Sequence, residues 1–301
     1  MTETGAISVM IPCYNDAAFV GEAIESALQQ TLLPDEVIVV DDGSSDNSAA
    51  VATAYGPLVR VIRQEHRGLA AARHAGVLAA IGSWIAFLDA DDLWTSQRLE
   101  RLARVAASAE PDVVCIFNDL SYVWPDGTWT ARPTPVHLLD RDAHVNLLCD
   151  WLVNPSALLV RADVARTIPF VEGVSHVEDL QFLALLSRRG RFVHLPETCT
   201  GYRRRPGQLT ADPRHLLIAA REILAFLRQN ALLYSAGDVA RVRARYVEGL
   251  AWTHDRAYRK RQYDIVREIR ELYVEVHPDP DPTLPRPLPD SARSDSCGYE
   301  T

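Results

Sequence analysis

Four residues, Asp89-Ala90-Asp91-Asp92, are the sharpest chemical feature of the chain. Asp89 and Asp91 stand one residue apart at the end of the apolar run WIAFLD. That spacing can turn both carboxylates toward one hard cation, Mg²⁺ or Mn²⁺, which takes oxygen ligands. Such a cation bridges to a diphosphate and neutralises its charge as it leaves. The plainer alternative is that Asp91 or Asp92 caps a helix starting near residue 96, or lies in a solvated turn.

Other residues invite the same two-sided reading. Asp42 could accept hydrogen bonds from a nucleobase or ribose, or serve only as a turn residue before Gly43. Tyr14 could stack on a base or pack as a half-buried aromatic. Arg73, in RGLAAARHAG, could reach a phosphate, hold the Asp cluster in place, or point into solvent. Glu178-Asp179 precedes LQFLALL. Either carboxylate could favour the helix N-terminus or act as a general base. Arg203-Arg204-Arg205 could contact an acidic ligand, and a solvated basic edge is the default for such a run.

These residues need a scaffold. AISVMIP (6–12), EVIVVD (36–41), LVRVIR (58–63), WIAFLD (84–89) and DVVCIF (112–117) predict strands. Helical spacing covers 17–30, capped by Asn15 or Asp16, then 46–55, 69–81 and 96–108. Apolar strands alternating with helices predict a parallel sheet covered on both faces. In such a sheet, ligands bind beyond the carboxyl ends of the strands. Pro12-Cys13-Tyr14-Asn15, Asp41-Asp42-Gly43-Ser44 and Asp89–Asp92 all lie at such ends, so one edge should gather them. Beyond residue 118 the rhythm changes. A hairpin is expected at 121–130 around Asp126-Gly127, helices at 140–150 and 178–189, strands at 156–161, 191–195 and 199–204, and three helices across 213–276. The Pro-containing tail 278–301 is expected to lack a fixed fold.

The chain has 301 residues, 48% hydrophobic and 24% charged, enough for a sizeable core. Its net charge of −9 argues against nucleic-acid binding, which draws its affinity from neutralised phosphates. The five cysteines are widely spaced without Cys-x-x-Cys, and read as reduced thiols in a cytoplasmic protein. No signal peptide is expected in the short polar N-terminus. No apolar run approaches the ~18 residues of a membrane span, which leaves peripheral membrane contact open.

In order along the chain, ISVMIPCYND, DEVIVVDDGSSDNS, QEHRGLAAARHAG, GSWIAFLDADDLWTSQRLE, NPSALLVRADV, VEDLQFLALLSRRG and GYRRRPGQLT resemble the family 2 glycosyltransferases. The resemblance covers about residues 6–210. It implies an α/β GT-A fold, with a mixed, mainly parallel nucleotide-binding sheet flanked by helices, and a C-terminal helical extension. The implied division is a catalytic domain at 1–210, with a nucleotide-sugar half at 1–118 and an acceptor half at 119–210, then helices at 211–277 and the tail at 278–301. The resemblance also implies an inverting transfer from a nucleoside-diphosphate sugar, with a UDP-sugar expected, to an acceptor hydroxyl, assisted by Mn²⁺ or Mg²⁺. Pro12, Tyr14 and Asp42 would line the nucleoside pocket, and Arg73 would sit by the diphosphate. Asp89 and Asp91 would form the Asp-x-Asp motif, with Asp91 the direct metal ligand, and Asp179 would be the base. His66 and His74 stand where the family often has Asn, and Arg205 where a His is frequent.

Two alternatives are carried. A sugar-phosphate nucleotidyltransferase would more often show a Gly-rich phosphate loop, which IPCYNDAAF lacks. A non-catalytic sugar-nucleotide-binding or interaction protein is opposed by the presence of Asp91 and Asp179. No Gly-x-Gly-x-x-Gly follows the first strand, which argues against a nicotinamide dehydrogenase. The acceptor has no readable motif. The C-terminal helices could serve it or mediate a homodimer.

Overall fold

The computed structural model describes residues 5–139, 142–205 and 207–276. These fall into two units, divided between 206 and 207. The boundary expected at 210 therefore lies inside the second unit. The expected tail at 278–301, Cys297 and residues 1–4 lie outside the described residues.

The first unit opens with β1 (Ile7–Cys13), α1 (Val20–Leu28), β2 (Glu36–Asp41), α2 (Ser48–Thr53), β3 (Arg60–Arg63), α3 (Leu69–Ala79) and β4 (Trp84–Phe87). Every residue of β1 and β4 is buried, as their largely apolar sequences require, and the one polar side chain, Ser8, donates to Glu36. The first helix buries Val20, Ala23, Ile24 and Ala27, one stripe at helical spacing. Asn15 and Asp16 do not cap it with their side chains; the Asp16 carbonyl accepts from the Phe19 and Val20 amides instead. On the third helix, a side chain at Gly76 would strike the Met10 side chain, so the glycine lets this helix settle on β1.

The order β3-β2-β1-β4 is parallel, with Cys13 beside Asp41 and Met10 beside Phe87. The three polar clusters therefore leave the sheet on one edge. After that the sheet is mixed. The next elements are β5 (Leu93–Trp94), α4 (Arg98–Ala107), β6 (Val113–Val123), β7 (Trp129–Arg132), α5 (Ala143–Cys149), β8 (Leu158–Arg161), α6 (Ala162–Ala165), α7 (Glu178–Leu186) and β9 (Arg191–Arg203). Strand β8 runs antiparallel between β4 and β6, and β9 pairs parallel with β6 and antiparallel with β5. The expected hairpin forms, with Gly127 at φ +83 in its turn.

Two consequences matter for chemistry. Because β8 opposes β4, Ser156, just ahead of β8, stands against Asp89. Because β5 opposes the end of β9, Arg203 and Arg205 reach the Asp89–Asp92 loop.

The second unit holds the three expected helices, α8 (His215–Gln229), α9 (Ala236–Arg259) and α10 (Tyr263–Val276). A reciprocal capping box between Ser235 and Asp238 starts the middle one, which buries Val242, Tyr246, Leu250 and Ala257 along one face. Among the described residues no helix is long and apolar enough to cross a membrane.

Candidate active site

The loops after β1 and β2 are locked together. Asn15, at φ +54, accepts the Ser45 amide on Oδ1 at 2.8 Å, and its own amide donates to Ser44 Oγ at 3.0 Å. Asparagine tolerates that left-handed backbone better than most residues. Gly43 also has positive φ, and a Cβ there would lie 2.7 Å from the His66 nitrogen.

Asp42 is buried and gathers the neighbouring 64–68 loop. Its carboxylate accepts from Gln64 Nε2 at 2.6 Å and from the Arg67 and Gly68 amides at 3.0 and 2.8 Å. His66 Nδ1 lies 2.8 Å from the same carboxylate, and Tyr14 stacks on the His66 ring at 4.0 Å between centroids. Tyr14 remains 44% exposed, so it is a surface aromatic rather than a packing one. Pro12 is buried in β1, beside Val40.

Arg73 takes the second of its three readings. It is buried, and its guanidinium donates to Asp89 Oδ1 at 2.7 Å and to Glu178 Oε1. Both terminal nitrogens are thereby engaged by carboxylates, and the solvated reading is excluded. The arginine ties the Asp-x-Asp loop to the first turn of α7, which carries both Glu178 and Asp179. Burial raises Glu178 to about 8 against the pull of Arg73. Its Oε2 is buried with no hydrogen-bond partner. Burial likewise raises Asp179 to about 6, with the Arg73 charge opposing. Asp179 keeps some solvent access, and its Oδ1 accepts its neighbour Leu180's amide at 2.8 Å. A carboxylate poised near neutrality at a reachable surface suits a general base.

Asp89 and Asp91 expose 22% and 18% of their side chains, whereas Asp92 is fully buried. Asp92 caps no helix. It accepts from Ser156 Oγ at 2.6 Å and from the Arg203 amide at 3.1 Å, and Ser156 Oγ in turn accepts the Asp89 amide at 3.0 Å. Burial pushes the Asp92 carboxyl well up. Asp92 is thus an anchor of the loop, while Asp89 and Asp91 stay partly exposed.

The basic run is no solvated edge. Arg203 donates to the Asp91 carbonyl at 2.9 Å and to Glu22 at 2.5 Å. Arg204 lies over the Tyr122 and Tyr202 rings. Arg205 bridges Asp91 Oδ2, at 2.8 Å, and Asp16 Oδ1, at 2.7 Å. Asp16 is a site residue that sequence reasoning missed, having been read as a helix cap. Burial raises it to about 6; Arg205 opposes the shift, while the Asp91 and Asp89 charges add to it.

Asp89 and Asp91 supply hard oxygen donors that suit Mg²⁺ or Mn²⁺. Among the described residues no three His, Cys, Asp or Glu side chains form a ready cage. A cation held by these two alone would need water and ligand phosphate to complete its shell, as Mg²⁺ commonly does.

The sequence profile described as Glycosyl transferase family 2 matches residues 8–148. The glycosyltransferase GlyG of Streptococcus pneumoniae is 30% identical over 257 residues, covering 80% of this chain and 85% of GlyG. EpsJ of Bacillus subtilis is 32% identical over 220 residues, 69% of this chain and 63% of EpsJ. In three dimensions the chain resembles Staphylococcus aureus TarS 1–349, solved with UDP-GlcNAc, at TM-score 0.61 and 18% identity over 90% of this chain and 92% of that one. It also resembles the mannosyltransferase PcManGT of Pyrobaculum calidifontis, solved with GDP-Man and Mn²⁺, at TM-score 0.56 and 18% identity over 91% and 85%. These two likenesses establish the shared GT-A fold. The chain belongs to glycosyl transferase family 2 and is a glycosyltransferase.

Proposed function

We propose that this glycosyltransferase moves a sugar from a nucleoside-diphosphate donor, a UDP-sugar, to an acceptor hydroxyl with inversion, assisted by Mn²⁺ or Mg²⁺. The observation that supports the reading is the Asp89–Arg73–Glu178 bridge, 2.7 Å at its Asp89 end, which links the Asp89–Asp92 loop to the helix turn that carries Asp179. TarS with UDP-GlcNAc and PcManGT with GDP-Man and Mn²⁺ support the donor class and the metal.

Pro12, Tyr14 and the Asp42-ordered loop line the nucleoside pocket, with the exposed Tyr14 face offered to the base. Asp91, with Asp89, holds the cation. The bound cation supplies positive charge to the donor diphosphate. Asp179 takes the proton of the acceptor hydroxyl as the oxygen attacks. The nucleoside diphosphate departs from the opposite face, so one displacement inverts the anomeric carbon. Arg73 acts on this chemistry through Asp89 and the first turn of α7 and leaves the phosphates to other groups.

Donor hydrolysis across UDP-, GDP- and dTDP-sugars with Mn²⁺ tests the proposal without an acceptor. Hydrolysis of a UDP-sugar that EDTA abolishes is expected. Turnover equally fast in EDTA would remove the metal from the reading, and preference for another base would correct the donor.

A further inference from the structure

Arg205 holds an unusual place. Its side chain is three-quarters buried, and its guanidinium lies over the Phe19 ring at 4.8 Å and spans two carboxylates, Asp91 at 2.8 Å and Asp16 at 2.7 Å. Arg203 flanks the same Phe19 ring at 5.2 Å and fixes the strand end through the Asp91 carbonyl and the Asp92 carboxylate. The fork is therefore delivered to Asp91 by a braced backbone. Asp91 is also the carboxylate assigned above to the divalent cation. A guanidinium and a metal ion cannot both take the same oxygen.

We infer that Arg205 is an internal counter-cation of Asp91, exchanged for the divalent metal when the donor arrives. The inference rests on the metal assignment under Proposed function. Near a protein surface, one unit charge a few ångströms from a cation-binding carboxylate changes its cation affinity by about tenfold or more. With Arg205 in place, metal binding to the protein alone is weak. When the metal displaces it, the guanidinium stays tethered through Asp16, and a forked cation suits phosphate oxygens. A diphosphate that accepts the displaced Arg205 favours the exchange. Metal and nucleotide binding are thereby coupled, and coupling is reciprocal.

The test is Mn²⁺ titration of the full chain, with free Mn²⁺ read by electron paramagnetic resonance, with and without UDP. Arg205→Gln should bind Mn²⁺ alone about tenfold more tightly than the wild type. UDP should raise its Mn²⁺ affinity by a smaller factor than it does for the wild type. Mn²⁺ binding by Arg205→Gln that is no tighter than wild type overturns the inference. Arg205→Lys keeps the charge but cannot span both carboxylates, so a smaller gain is expected; it carries the test if the glutamine variant does not fold, and no gain there overturns the inference equally. Asp91→Asn separates the two layers. If it binds Mn²⁺ like the wild type, the metal assignment itself fails. If it loses Mn²⁺ while the Arg205 variants gain nothing, only the exchange is wrong.

Discussion

The Ser156 hydroxyl donates to Asp92 Oδ2 at 2.6 Å inside the protein, where both residues are fully buried. Ser156 Oγ itself accepts the Asp89 amide, and the Ser156 carbonyl accepts from Trp94 Nε1 at 2.8 Å. One serine thereby fixes both ends of the Asp89–Asp92 loop. Ser156→Ala removes the partner of Asp92 Oδ2 and of the Asp89 amide, which costs about 1–3 kcal/mol. Urea unfolding should show that loss, and Mn²⁺ titration should show weaker binding as Asp89 and Asp91 lose their support. Unchanged Mn²⁺ affinity in a destabilised variant would limit Ser156 to holding the fold.

Asp179 supplies a pH prediction. Burial raises it to about 6, and a base works only when deprotonated. Transfer should therefore be slow at low pH, rise through about pH 6 and level off above about pH 7. Asp179→Asn should lower kcat by about 10²–10⁴ with little change in donor KM. Asp16 is also raised to about 6, so the profile of Asp16→Asn is the control. If the acid limb vanishes there and survives in residual Asp179→Asn turnover, the base has been misassigned.

How much of this was legible differs between residues. The run EVIVVD could be placed as β2 because a strand buried on both faces needs unbroken apolar side chains. Strand β5 is only Leu93–Trp94, and it is a strand solely because it pairs with the end of β9. Strand β9 was read as two strands because Pro196 and Glu197 interrupt it, yet pairing with β6 carries it through with a shifted register. The antiparallel sense of β8 cannot be seen in LLVR, since direction leaves no mark on four apolar residues. The same limit hid the site's supports. Arg205 meets Asp16 across 189 positions and Ser156 meets Asp92 across 64. Asp89 and Asp91 could be singled out because their spacing at a strand end marks them, whereas Asp179 was singled out only by the resemblance to the family. Their partners are set by tertiary packing, and Arg203–Arg205 was misread for that reason.

Arg73 and Glu178 form a buried ion pair, and removing one partner of such a pair strands the other. Arg73→Met should cost about 3–5 kcal/mol in urea unfolding near pH 10, where Glu178 is ionised in the wild type. Burial already raises Glu178 to about 8 even with Arg73 beside it. Without the cation, its protonated form is favoured further, so the Glu178 part of the defect should shrink as pH falls from 10 through about 8 and stay flat below that. Adding Glu178→Gln to Arg73→Met should recover most of the stability but not the activity, because Asp89 has still lost its anchor. A defect independent of pH, or no recovery in the double variant, would show that Arg73 stabilises by packing alone.

Asp91 is the residue on which the metal reading turns. Its carboxylate is partly exposed, as is that of Asp89, while Asp92 is held inside by Ser156 and the Arg203 amide. Asp91→Asn keeps the shape and removes the charge, so the folded state should persist, with urea stability within about 1 kcal/mol of wild type. Donor hydrolysis should fall to the level that EDTA produces in the wild-type enzyme, and added Mn²⁺ should not restore it. Asp92→Asn should behave differently: its main effect should appear in the unfolding curve, with turnover falling only as far as the loop loses its place. Were Asp92→Asn to abolish Mn²⁺ binding while Asp91→Asn retained it, the metal would belong to the inner carboxylate and the Asp89 and Asp91 pair would be left to the donor sugar.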